Sequence, residues 1–164
     1  MSRLDSFIRR LEAQRSCLAE AARRTQSLTG VVLELGLGNG RTFDHLREIC
    51  GGREIYVFDR QIAAHPDCIP APDRMFLGDF TETLKEARAH LGDGAATLIH
   101  VDLGSGDATA SLALAARLAP DIAALMENGA VVVSDQPIEA PHLAPLALPE
   151  GVRPGRYFIA EKRA

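Results

Sequence analysis

The chain has 164 residues, 46% of them hydrophobic and 24% charged, with a net charge of −4 at pH 7. This length and composition suit one globular domain whose core is large enough to need no disulfide or metal staple. The acidic balance lacks the basic surplus of a nucleic-acid footprint, no apolar run approaches the ~20 residues of a membrane span, and Cys17, Cys50 and Cys68 have neither disulfide nor zinc spacing. The first residues also lack the apolar centre of a secretory signal. The expected setting is therefore cytoplasmic, with reduced thiols and with neither a membrane nor a nucleic acid as partner.

From Arg3 to about Leu28 apolar residues recur at helical spacing (Leu4, Phe7, Ile8, Leu11, Leu18), and Thr29-Gly30 supplies a stop. This helix is expected to cover a sheet edge or an oligomer face rather than to perform chemistry. Strands are predicted at Val31–Gly36, Ile55–Asp59, Arg74–Leu77, Ala96–Leu103 and Ala130–Asp135. Helices are predicted at Thr42–Ile49, Thr81–Leu91 and Ala108–Glu127. Runs such as "IYVF" and "VVVSD" do not alternate polar with apolar, as befits central strands of a parallel sheet covered on both faces. The expected fold is α/β, a three-layer Rossmann-like sandwich on a mostly parallel sheet of six to seven strands. Pro120 should kink or split the last helix, and "ENG" at Glu127–Gly129 should stop it.

After Asp135 the pattern changes. Pro137, Pro141, Pro145, Pro149 and Pro154 forbid a long helix. The sandwich is thus expected to be truncated after its fifth strand, with a short edge strand around Leu146 and a last strand in "RYFIAEK". Residues 1–164 form a single domain, divided into a covering helix (1–29), a cofactor-binding core (30–135) and a proline-rich segment with the last strand (136–164).

The most informative stretch is "VVLELGLGNGRTFDHL". Three glycines between a buried strand and a helix let backbone N–H groups and the helix N-terminus approach a ligand closely. In a doubly wound sheet that place is the carboxyl edge, where ligands bind. A dinucleotide fingerprint would need glycine at position 41, which is Arg41, so the spacing argues against a nicotinamide cofactor.

"LELGLGNGRT" resembles motif I of the class I S-adenosylmethionine-dependent methyltransferases. The resemblance implies that Glu34 helps hold the methionine end of the cofactor and that the backbone of Gly36, Leu37, Gly38 and Gly40 lies against the methionine and ribose. Arg41 and Thr42, at the start of the next helix, are placed to reach the cofactor's carboxylate. Asp59, followed by Arg60, ends the second strand, where an acid accepts hydrogen bonds from the ribose hydroxyls. Gly78-Asp79-Phe80 ends the third. In the resembled family the acid there meets the adenine amino group and the next residue lies on the ring; Asp79 is also placed to cap the helix at Thr81. Asp102 ends the fourth strand. "GAVVVSDQP" ends the fifth with Asp135 and resembles the "LxPGGxLVxxD" element. The whole chain is similar to a small bacterial family of S-adenosylmethionine methyltransferases with no assigned substrate. The resemblance implies S-adenosylmethionine as cofactor and S-adenosylhomocysteine as product. The missing helix after the fifth strand and the lack of an inserted substrate domain imply an acceptor pocket that is open, or completed by the N-terminal helix or a second subunit. A homo-oligomer is expected.

Methyl transfer from a sulfonium is an in-line displacement in which the protein mainly positions the reactants. Asp102 is the best-placed candidate for removing an acceptor proton. His100, two residues earlier on the same face, reads as a buried structural histidine. His45, His65, His90 and His142 offer no constellation. A secondary reading follows metal-dependent O-methyltransferases of the catechol type. In it Asp102 or Asp107 is the first ligand and Asp135-Gln136 stands where that class has Asp-Asn, a set of oxygen ligands suited to Mg²⁺. The extra length of Gln136 and the fixed chain at Pro137 count against it. The function implied is methyl transfer to a small-molecule acceptor. The rivals are a non-catalytic protein that holds S-adenosylmethionine or its product, and a nicotinamide-dependent oxidoreductase.

Overall fold

The structure is a computed structural model and describes residues 2–164. Ser2 opens α1 (Arg3–Arg24) with a reciprocal cap: its hydroxyl accepts from the Asp5 N–H, and the Asp5 carboxylate accepts from the Ser2 N–H, both at 3.0 Å. The helix ends earlier than the predicted Leu28. The Thr25 hydroxyl and N–H both donate to the Ala21 carbonyl, and Arg53 ties Thr25 to Thr97 of the sheet. The chain then runs β1 (Val31–Leu35), α2 (Arg41–Ile49), β2 (Ile55–Asp59), β3 (Met75–Leu77), α3 (Phe80–Leu91), β4 (Ala96–Val101), α4 (Ala108–Leu125), β5 (Met126–Ser134), β6 (Leu143–Pro145) and β7 (Phe158–Lys162).

These strands form one seven-stranded sheet in the order β3-β2-β1-β4-β5-β7-β6. The first five pair in parallel, whereas β7 runs antiparallel to both β5 and β6. Alternate side chains sort into two core layers. Leu33, Leu35, Phe58, Ile99 and Val132 pack with Leu84 of α3 and Leu118 and Ile122 of α4. Val32, Val57, Leu98 and Val133 pack with Leu18 of α1 and Leu46 of α2. Each such side chain, fully buried, contributes about 1.5–3 kcal/mol over its exposed state. Strand order reverses between β1 and β4, and the ends of these two strands open the crevice in which doubly wound folds bind ligands.

Three local expectations need correction. Of the kink or split expected at Pro120, the split does not occur: α4 runs unbroken to Leu125. Pro120 and Ala116, whose carbonyl loses its partner, both lie on the solvent face, and the opposite stripe of Ala115, Leu118, Ile122 and Leu125 holds the helix to the sheet. The "ENG" segment is not a terminator either. The helix stops before it, with the Lys162 ammonium donating to the Ala123 and Met126 carbonyls at 2.7 Å, and Glu127–Gly129 is an irregularity within β5. The edge strand lies at Leu143–Pro145, slightly before Leu146, although the Leu146 N–H still donates to Ile159. No helix follows β5, as expected from the prolines, and Ile138 of this segment is buried in the same core layer as Val132 and Ala160.

Candidate active site

A cleft of about 570 Å³ opens at the carboxyl edge of the sheet. The glycine turn forms its floor, and the three glycines have different tasks. A Cβ on Gly36 would stand 2.7 Å from the Asp102 carbonyl, so this glycine lets the ends of β1 and β4 meet. A Cβ on Gly40 would strike Cys68 at 2.5 Å, so this one serves internal packing rather than the cofactor. Only Gly38, at φ 52°, faces open space, and its side of the turn is the bare backbone that a ligand can approach.

Asp59 stands beside the turn. Its Oδ2 accepts from the Leu37 and Gly38 N–H groups at 2.9 and 3.1 Å, and its Oδ1 from the Arg60 N–H at 2.7 Å. It shapes the turn, and each carboxylate oxygen keeps further lone-pair capacity for a hydroxyl in the cleft. Asp79 caps α3: its Oδ1 accepts from the Thr81 hydroxyl and N–H at 2.6 and 2.9 Å, and its Oδ2 accepts from Arg60 at 3.0 Å. The Thr81 bonds and then Arg60 pull this carboxyl down to about 2. Leu37, Gly36, Gly38, Arg41, Thr42, Asp59, Arg60, Asp79, Phe80 and Asp102 all line the cleft. Gly78 does not, and its N–H is bound to the Asp59 carbonyl.

Glu34 departs from its expected place. It is completely buried below the turn and absent from the cleft wall, because its β1 position faces α1 beside His100 of β4. His100 Nδ1 donates to Glu34 Oε2 at 2.7 Å, and Glu34 Oε1 has no partner. Burial pushes the Glu34 carboxyl up, opposed by His100. Burial alone would push the His100 imidazolium down, but the Glu34 carboxylate, with Asp102 and Asp135 behind it, holds it above its ordinary value. The pair thus keeps its shared proton to higher pH than a free imidazole would. On the other ring edge, His100 Nε2 lies 3.4 Å from the Tyr157 hydroxyl and 3.3 Å from Gln14 Nε2, and Gln14 Nε2 donates to Tyr157 at 2.7 Å. His100 is structural, as expected, but it centres a buried polar chain that spans α1, β1, β4 and Tyr157, the residue before β7.

Asp102 is the other surprise. Both its oxygens accept from Arg10 of α1, at 2.9 and 2.8 Å. Sequence reasoning missed Arg10 and Gln14. Their signal was available: both are polar residues inside the apolar stripe Phe7–Leu11–Leu18 of an amphipathic helix. α1 is therefore a wall of the site, with Phe7, Arg10, Leu11 and Gln14 in the cleft, and not only a cover. Asn39 was also missed. It lies in the cleft, and its Oδ1 accepts from the Arg41 N–H at 3.1 Å.

The Mg²⁺ set is not assembled. Arg10 occupies Asp102, Asp135 accepts from the Leu103 N–H at 3.0 Å, and Asp107 caps α4. Gln136 meets Ser134 only through its backbone. Among the described residues no three His, Cys, Asp or Glu side chains gather where they could hold a metal ion. A guanidinium on the leading carboxylate is the wrong neighbour for a dication, so these residues do not fit one. Of the remaining histidines, His65 caps a 3₁₀ turn, His90 edges Phe76, and His45 and His142 join no cluster.

A parallel sheet whose crevice holds a bare glycine turn, with acids at the ends of successive strands, defines a Rossmann-like enzyme of the nucleoside-cofactor class. The chain belongs to the S-adenosyl-L-methionine methyltransferase family whose model matches residues 1–162. It is 42% identical to an S-adenosyl-L-methionine methyltransferase of Silicibacter pomeroyi DSS-3, whose crystal structure it matches with a TM-score of 0.94 over 99% of both chains. More distant likenesses show the fold alone. TrmN from Thermus thermophilus shares 17% identity at a TM-score of 0.61, covering 88% of this chain and 48% of that one. The fibrillarin pre-rRNA processing protein of Methanococcus jannaschii shares 14% at 0.56, covering 82% and 66%. No protein of curated function matches the chain. The cofactor is S-adenosylmethionine, the protein is a methyltransferase, and the oxidoreductase and non-catalytic readings are set aside. An RNA-processing protein among its fold relatives means that the fold by itself does not exclude a nucleic-acid acceptor.

Proposed function

We propose that the protein transfers the methyl group of S-adenosylmethionine to an oxygen or nitrogen of a small-molecule acceptor entering between α1 and α4. The observation that carries this reading is the size and lining of the cleft. About 570 Å³ lies within the range of small-molecule sites, and much of that room is needed by the cofactor. The wall beyond the glycine turn is apolar, made by Phe7, Leu11 and Leu114, with the Arg10–Asp102 pair beside it.

In this reading the backbone of Leu37 and Gly38 lies against the cofactor, Asp59 accepts from the ribose hydroxyls, and Asp79 and Phe80 hold the base. Arg41 and Thr42 serve the carboxylate, while Glu34 stays buried beneath the turn, paired with His100. When bound, the cofactor supplies the electrophilic methyl group. Asp102 accepts the acceptor's proton, and Arg10 orients its carboxylate. Mutually exposed Leu4, Phe7 and Ile8 on the first turns of α1 support self-association, and the free cysteines support a reducing, cytoplasmic setting.

A methyl-release assay over a panel of hydroxyl and amine acceptors, with single-stranded RNA as a further arm, tests the reading. Turnover with a small acceptor, lost at least tenfold in Asp102→Asn with cofactor affinity kept, is expected. Methyl incorporation into RNA alone would reject the small-molecule acceptor. Light scattering that returns a monomer would reject self-association.

A further inference from the structure

On the far side of α1 from the cofactor cleft lies a second cleft of about 540 Å³, between this helix and the loop leading into β7. Arg9 and Arg15 enter it from the helix, and Arg153 and Arg156 from the loop. Glu12 and Glu150 are its acids. The Arg156 guanidinium is held in place by donating to the Ser6 hydroxyl at 2.9 Å. Seven arginines elsewhere among the described residues, including Arg10, Arg24, Arg60 and Arg88, each meet a carboxylate. Among the described residues, none of the four arginines of this cleft has a carboxylate within 4.0 Å. The concentration of cations is against the trend of a chain whose net charge is −4. Like charges gathered in a concavity repel one another, and an anion bound among them removes that repulsion.

We propose that this cleft binds a phosphate-type anion, as free phosphate or as the phosphoryl group of a small molecule. The guanidinium fork matches two oxygens of a tetrahedral anion at once. Arginines brought from two segments of the chain, one pair on a rigid helix, can grip such a group from opposite sides. The volume leaves room for an organic portion beyond one or two phosphoryl groups. Glu12 and Glu150 bias the site against larger polyanions by repulsion, which separates it from a nucleic-acid groove. The assignment stands independently of the acceptor proposed above.

The test is titration of the full chain with inorganic phosphate, pyrophosphate and glycerol phosphate at fixed ionic strength, with chloride as control, by calorimetry. Saturable 1:1 binding of pyrophosphate is expected, weakened about tenfold for each of Arg9→Ala and Arg153→Ala. Glu12→Gln should tighten it. Glycerol phosphate binding more tightly than inorganic phosphate would identify an organic phosphate as the source, and the reverse order free phosphate. S-adenosylhomocysteine affinity serves as the fold control and should not change in these variants. Pyrophosphate affinity equal to wild type in Arg9→Ala and Arg153→Ala overturns the site, as does displacement by chloride. A ten-nucleotide single-stranded RNA that outcompetes pyrophosphate would overturn it in favour of nucleic acid.

Discussion

The two halves of the cofactor cleft are built differently. On the side of β2 and β3, carboxylates are held mainly by backbone N–H groups and by exposed neighbours: Asp59 by the N–H groups of Leu37, Gly38 and Arg60, Asp79 by Thr81 and the Arg60 side chain. These groups are partly or fully exposed. On the side of β4, side chain meets side chain across the molecule: Arg10 to Asp102, Gln14 to His100 and Tyr157, His100 to Glu34. There Glu34, His100 and Tyr157 are completely buried. In the exposed half, water replaces a lost partner at modest cost, so mutations should be felt as binding. Around the buried Glu34, His100 and Tyr157 nothing replaces it, and mutations there should be felt as stability.

The largest expected effect is in the buried half. His100→Leu leaves the Glu34 carboxylate without a partner and should lower folding stability by about 3–5 kcal/mol in urea denaturation. A loss under about 1 kcal/mol would mean that the buried chain is not structural, and the contrast between the halves would collapse. The same pair should give a pH signature. His100 holds its proton above its ordinary value of 6.5, so its contribution is complete below that pH and is lost as pH rises through the folded value. Wild-type stability should therefore decline above about pH 6.5, and the slope should flatten in the double variant Glu34→Leu/His100→Leu, in which neither member of the pair titrates. An unchanged slope would put the titrating group elsewhere.

Gly38→Val comes next. It sets a branched side chain at φ 52° in the open floor of the cleft and should weaken S-adenosylhomocysteine binding by more than about a hundredfold. Retained affinity by calorimetry would show that the backbone there is not the cofactor's floor. Asp59→Ala should cost about 1.5–3 kcal/mol of cofactor binding, the scale of hydrogen bonds to a charged group, with little change in stability. A stability loss larger than the binding loss would place Asp59 with the buried half. Asp79→Ala should have the smallest effect, a few-fold loss of affinity and some fraying of α3, because this carboxylate is exposed and water substitutes for its partners. Fraying of α3 would show as faster amide exchange at Thr81 and Glu82.

What was legible in the sequence divides along the same line. The strands from β1 to β5, the missing helix among the prolines, and the acids from Asp59 to Asp135 at strand ends could all be read from runs of a few residues. Pro120 misled because propensity is local, whereas the packing of Leu118 and Ile122 on the sheet is not. Glu34 misled in a different way. The resemblance put it against the methionine end of the cofactor, but its facing side chain, His100, comes from a strand whose register no local pattern encodes.

By itself the sequence determined the glycine turn, the acidic strand ends and the parallel sheet that gathers them on one edge. Glycine, buried β-branched runs and capping acids act through their own backbone and nearest neighbours, and that chemistry is written in a short window. Only the tertiary structure decided that α1 walls the site, that Arg10 takes Asp102 and that Gln14 and Tyr157 close on His100. These partners are 92, 86 and 57 positions apart, and such contacts depend on how amphipathic faces dock and not on any spacing along the chain.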